Sequence, residues 1–231
     1  MKFLSVLFAV VAIIGLGQTR QLPNFGSGSV YDEQTLVEDE LIDFMKFIPV
    51  EKWTEVMTKY INEDVKVQSA LLYLFDVEFH DLLRSIEALK EYDALVKYLQ
   101  NTGLDVISYI KIFHKTIGME DYVPPPKVEN IFESQIGIQK VGDGMAGMIK
   151  DLYDLLPIDK IDALYKQKLE NSKVFADFIA ALKSPKLQEI VTNLYGNQTF
   201  KDFVMKCREK GLEFQELTKL VARIFGIQFP Y

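Results

Sequence analysis

The decapeptides IPVEKWTEVM, starting at Ile48, and LPIDKIDALY, starting at Leu156, share one pattern: apolar, Pro, apolar, acid, Lys, apolar. Their prolines, Pro49 and Pro157, are 108 residues apart. At the same offset Lys160 falls on Lys52, Leu182 on Leu74, Leu212 on Leu104 and Lys219 on Lys111, while Gly211 falls on Gly103 and Gly226 on Gly118. Apolar positions keep step: Leu164 with Val56, Leu169 with Ile61, Ile190 with Leu82, Phe203 with Leu95. Two amphipathic segments can share apolar matches by chance. A single offset that also aligns a proline and two glycines marks an internal duplication of about a hundred residues. Such a chain must bury the apolar faces of two copies of one small unit against each other.

The unit is helical. From Asp32 to Ile117 there is one proline, Pro49, and one glycine, Gly103. A stretch so free of breakers reads as helices joined by short turns. Leu41, Phe44, Met45 and Ile48 follow i, i+3, i+4, i+7 spacing, as do Trp53, Val56, Met57 and Tyr60. No strict alternation persists long enough for a strand. The pattern predicts helices over about 33–47, 50–62, 65–75, 77–89, 91–102 and 104–117. The repeated glycines should each end a helix in the left-handed conformation. Residues 119–130 contain three consecutive prolines and read as an extended linker. Beyond it the helical pattern resumes, with Ser184 placed to cap and Pro185 to occupy a first turn. The expected organisation is a first helical repeat over 32–118, the linker, and a second repeat over 131–231.

The first seventeen residues, MKFLSVLFAVVAIIGLG, have one Lys, an unbroken apolar run and small residues at the end. That is the layout of a secretory signal peptide. Residues 18–31, rich in Gly and Ser, should be a flexible N-terminal segment. Removal of 1–17 takes Lys2 away and moves the formal charge from −7 to −8. An acidic secreted protein without a Lys/Arg cluster is a poor candidate for nucleic acid or an anionic membrane, so no nucleic-acid partner and no integral membrane association after cleavage are expected. The single cysteine, Cys207, cannot make an internal disulfide, so stability must come from the hydrophobic core. Asn197 opens the sequence Asn-Gln-Thr, a glycosylation acceptor.

Candidate chemistry is sparse. Gly142, Gly144 and Gly147 fit G-x-G-x-x-G, but a helix rather than a strand follows, which argues against a dinucleotide site. His80 and His114 are the only histidines, and their repeat partners are Gln188 and Ala222. Their spacing brings no carboxylate or Cys set with it, so no metal is expected. Cys207 falls on Leu99 and reads as a buried small hydrophobe. The acids Glu38, Asp39, Glu40 and Asp43 suit the first turns of a helix. With no catalytic constellation and no cofactor motif, the expectation is a protein that is not an enzyme.

What remains is apolar surface, with 16 Phe, 11 Tyr and 7 Met. Two units closing on each other could leave an interior for an apolar ligand. Sheathing a sixteen-carbon chain gains on the order of 10 kcal/mol gross, and association costs return about half of it. The candidate lining residues are large apolar positions matched between units: Phe44 with Leu152, Met45 with Tyr153, Leu71 with Ile179, Leu74 with Leu182, and Leu82 with Ile190.

The tandem phrases LIDFMKFIPVEKWTEVMTKYI and MIKDLYDLLPIDKIDALYKQKL, behind a signal peptide, resemble the insect allergen-related repeat proteins, which include the major cockroach allergen and mosquito midgut microvillar proteins. The paired endings KIFHKTIG and KLVARIFG extend the resemblance over about 32–226. It implies an all-α fold in which two tandem multi-helix repeats form one capsule around an apolar cavity holding fatty acids or phospholipids. It also implies secretion into the gut lumen and a role in digestion or detoxification. The leading expectation is therefore a lipid carrier. The alternatives are a detoxification factor of the nitrile-specifier type and a structural microvillar or peritrophic-matrix protein.

Overall fold

A computed structural model describes residues 33–119, 144–216 and 219. The expected leader, the segment 18–31, the expected linker beyond Met119, Gly142 and Gly226 lie outside the described residues. Within them the first unit contains α1 (Glu33–Met45), α2 (Val50–Glu63), α3 (Val65–Tyr73), α4 (Val77–Glu87), α5 (Lys90–Gln100) and α6 (Val106–Thr116). The second contains α7 (Gly144–Asp154), α8 (Ile158–Asn171), α9 (Lys173–Leu182), α10 (Pro185–Gly196) and α11 (Gln198–Glu209). The fold is all-α, with no strand among the described residues.

The duplication is visible in the backbone. The starts of α2, α3, α4 and α5 recur 108 residues on as those of α8, α9, α10 and α11. The residues before those starts repeat their torsions. Pro49 has φ −79° and ψ 76°, and Pro157 has φ −78° and ψ 75°. A fixed proline φ and the restriction on the residue before it stop one helix and start the next. Asp64 and Ser172 are the next pair, each extended and each accepting a backbone N–H with its side chain. Asp76 and Ser184 do the same, and Pro185 occupies the first position of α10. Gly103 and Gly211 have φ 86° and 84°, the left-handed region. At Gly211 the turn closes with Leu212 N–H on the Cys207 carbonyl at 2.8 Å, which satisfies a carbonyl the helix end would leave unpaired.

The units interlock rather than stand side by side. α1 packs chiefly on α8 and α9 of the second unit, and α7 packs on α2 and α3 of the first. Farther along, α5 packs on α10 and α4 on α11. Exchanging the two units maps each contact onto the other, so the arrangement has a local two-fold character. One core results, drawing Phe79, Leu83, Ile86 and Leu99 from the first unit and Met148, Phe175 and Phe203 from the second. The Phe79 and Phe203 rings, one from each unit, lie 6.0 Å apart.

Asp64 joins a cap to the interlock. One of its carboxylate oxygens accepts from Lys66 and Val67 N–H at 2.8 and 3.2 Å, and the other accepts from Gly144 N–H at 3.0 Å. Asp76 caps through Glu78 N–H alone and is exposed. Asp76→Ala should therefore cost about 1 kcal/mol, the loss of one cap. Asp64→Ala should cost about 2–4 kcal/mol, because it also leaves the buried Gly144 N–H unpaired. Equal urea midpoints for the two variants would refute the distinction.

Candidate functional site: the seam between the units

The seam is built from the two exchanged helices. On α1 the acids Glu40 and Asp43 meet Lys168 of α8, whose residue is only 8% exposed. Lys168 Nζ donates to Glu40 and, at 2.7 Å, to Asp43 Oδ2, while Ser172 Oγ donates to the other Glu40 oxygen at 2.5 Å. The Phe44 ring stacks on Phe175 beneath this cluster at 5.5 Å. On the opposite side Asp151 of α7 accepts from Tyr60 Oη of α2 at 2.7 Å, and Trp53 Nε1 donates to the Leu152 carbonyl at 3.0 Å. Asp43 and Asp151 are repeat partners, as are Tyr60 and Lys168. The same two positions hold each crossing, as an ion pair in one and a hydroxyl–carboxylate bond in the other.

Burial opposes charge on Lys168, but its hydrogen bonds to Asp43 and Glu40 outweigh this and raise its pKa. Burial likewise works against ionised Glu40, and Lys168 and Ser172 overcome it, holding the carboxyl below its usual range. Hydrogen bonds from Lys168 and Lys46 lower Asp43 in the same way. Glu38, one turn earlier, accepts from Tyr109 at 3.3 Å and is raised by burial.

Along the other half of the seam, Tyr98 Oη on α5 bonds the Ala181 carbonyl at 2.8 Å and Ser184 Oγ at 2.6 Å. Lys206 of α11 reaches Glu78 of α4 at 3.0 Å. A groove of about 820 Å³ runs beside α5 and α10, with Lys90, Glu91 and Ala94 on one side and Ile190, Asn193 and Asn197 on the other.

Three of the five matched apolar pairs divide by unit, while Leu74 and Leu182 are both buried and Met45 and Tyr153 both accessible. Leu152, Ile179, Leu182 and Ile190 of the second unit are buried, as is Leu74 of the first. Phe44, Met45, Leu71 and Leu82 of the first unit, with Tyr153 of the second, keep accessible surface. Phe44, Leu71 and Leu82 do so while packed against the core. Ile190 faces the groove. Asn197 sits at the start of α11.

The remaining candidates have structural partners. His80 is buried with a ring nitrogen 3.0 Å from the Leu74 carbonyl, and burial lowers its pKa. His114 pairs with Glu87 at 2.7 Å. No group of three or more potential metal ligands occurs among the described residues. Cys207 is fully buried, which pushes its thiol pKa up. Gly144 opens α7 at φ +65° against the Lys66 side chain, as the entry to a helix. No described helix is long and apolar enough to cross a membrane.

Sequence reasoning misses the Lys168 cluster, although a signal exists. Ile161, Tyr165 and Lys168 lie at i, i+4, i+7, so a lysine continues an apolar stripe and must meet a carboxylate there. Lys168→Met should cost about 1–3 kcal/mol, a buried-pair loss discounted for the part-exposed carboxylates. Lys46→Ala, removing an exposed partner of Asp43, should change stability by less than about 0.5 kcal/mol. The depressed carboxyls contribute stability above their unfolded pKa of about 4, and it is lost as pH falls through their lower folded values. Wild type should therefore lose thermal stability below about pH 4 more steeply than Lys168→Met. Parallel acid limbs would contradict the assignment.

A family model described as "Insect allergen related repeat, nitrile-specifier detoxification" matches residues 37–218, from α1 through the second unit. The chain is also similar to Protein G12 of Anopheles gambiae, at 18% identity over 188 residues, covering 81% of this chain and 86% of that protein. With the match spanning both interlocked units, the chain belongs to the insect allergen-related repeat family.

Proposed function

We propose that the chain is a secreted, non-enzymatic binding protein for an apolar ligand of the fatty-acid or phospholipid class, acting in the insect digestive tract, with the ligand held between the interlocked units. The observation that carries this reading is the division of the matched apolar positions. Phe44, Leu71 and Leu82 pack against the shared core and stay accessible, whereas their partners Leu152, Ile179 and Ile190 are buried. Each accessible member leaves roughly 25 cal/mol unrealised per Å² of apolar area still wet, which a bound alkyl chain would recover. Apolar surface held open beside a rigid core is what an alkyl chain covers. The description of the matching family favours a second reading, a detoxification factor of the nitrile-specifier type.

Organic extraction of the secreted protein followed by mass spectrometry separates the two. The carrier reading expects about one lipid or more per chain, and a dry extract from protein that also fails to bind palmitate would refute it. Leu71→Glu should abolish uptake by placing a charge against the alkyl chain while the protein still folds. Leu74→Ala, at a side chain only 1% exposed, should instead cost about 2–5 kcal/mol as a core truncation. Full palmitate binding by folded Leu71→Glu would remove that residue from the site.

A further inference from the structure

The groove beside α5 and α10 is largely polar. Its lining mixes charged and amide side chains with two apolar ones, Ala94 and Ile190. That mixture suits an amphipathic, neutral, hydroxyl-rich ligand. The groove is open at the surface, with a volume of about 820 Å³. At one edge stands Asn197, first residue of Asn-Gln-Thr.

The local geometry leaves that asparagine ready for modification. Asn197 is the N-cap of α11, and its Oδ1 accepts from Thr199 N–H at 2.9 Å. The bond occupies the carbonyl oxygen only, and Nδ2 donates to no partner among the described residues. Gln198 and Thr199 are exposed. Gly196, immediately before, is exposed, with nothing within 4 Å of where a Cβ would sit. In the first unit the matching residue is Leu89, which packs against the core and makes no side-chain cap. The second unit thus carries an acceptor sequence at a junction where the first carries an apolar plug.

We infer that Asn197 carries an N-linked glycan whose first sugars lie in this groove, clasping α5 of one unit to α10 and α11 of the other from outside the seam. Nδ2 attacks the anomeric carbon of the first sugar on a polyprenyl-diphosphate-linked oligosaccharide. The new N–C bond replaces the sugar–phosphate C–O bond, the lipid diphosphate leaves, and Nδ2 gives up one proton. Oδ1 keeps its lone pairs, so the cap on Thr199 N–H survives. The N-acetyl and hydroxyl groups have Lys90, Glu91 and Asn193 to bond, and the apolar sugar face has Ala94 and Ile190 to cover. This rests on the proposed secretion, because the transfer occurs on chains entering the secretory route, but it is independent of lipid binding.

The test expresses the full chain with its own leader in insect cells and recovers it from the medium. Intact mass before and after peptide N-glycosidase should show a glycan on most molecules, with Asn197 converted to Asp on release. Thr199→Ala should lose it, and Thr199→Ser, which keeps the acceptor sequence, should retain it. Hydrogen exchange at residues 90–94 should be several-fold slower in the glycosylated protein than in Thr199→Ala. Secreted protein unmodified at Asn197 overturns the inference while secretion stands, and failure of the chain to reach the medium overturns both. A glycan that leaves exchange at 90–94 unchanged overturns its placement in the groove.

Discussion

Each unit gives its first helix to the other, and the rest of the structure depends on that crossing. Hydrophobic burial is non-directional, so it holds α1 against the core without fixing its partner or register. Leu41, Phe44 and Met45 would pack acceptably in several orientations. The directional restraint comes from one pair of positions used twice: Asp43 on Lys168, and Asp151 on Tyr60. Around them Ser172 binds Glu40 on one side and Asp64 binds Gly144 on the other. These residues couple a helix cap of one unit to the incoming helix of its neighbour, so local and long-range structure are fixed by the same side chains.

Much of this fold was legible from the chain. The 108-residue offset, the six helices of the first unit and the helix-end roles of Ser184, Gly103, Gly118 and Gly211 all follow from local chemistry. Proline and glycine torsions are set within a residue or two, and the structure repeats them to within a few degrees. The crossing was not legible, because periodicity says which face of a helix is buried and not what buries it. Lys168 shows the limit. Its place on an apolar stripe announces a buried cation, but the carboxylates that neutralise it lie 125 and 128 residues earlier in the chain. The matched apolar positions were readable as a set. Their division into buried and accessible members was not, since it depends on how two non-identical copies fill one shared space.

That inequality gives the family membership physical content. A duplicated gene product starts with two equivalent walls, and here Leu152, Ile179 and Ile190 of the second are buried while their partners Phe44, Leu71 and Leu82 of the first keep accessible surface. The polar groove at Asn197 diverges in the same way, with an acceptor asparagine where the first unit has Leu89. One copy keeps accessible apolar side chains at Phe44, Leu71 and Leu82, and the other carries a polar N-cap at Asn197. The interlocked core lets both changes occur without separating the units.

The most direct measurement is to cut the chain between Glu120 and Asn130 and determine the mass of the product under native conditions. If the first helices are exchanged, neither half holds its own α1-type helix, and each exposes the apolar face that the other covers. The cut protein should then migrate as one particle of undiminished mass, unfold in a single transition, and separate only in denaturant. Two halves that part spontaneously and remain soluble, folded monomers would show that each unit keeps its own first helix and core, and would contradict the shared interior on which the account rests.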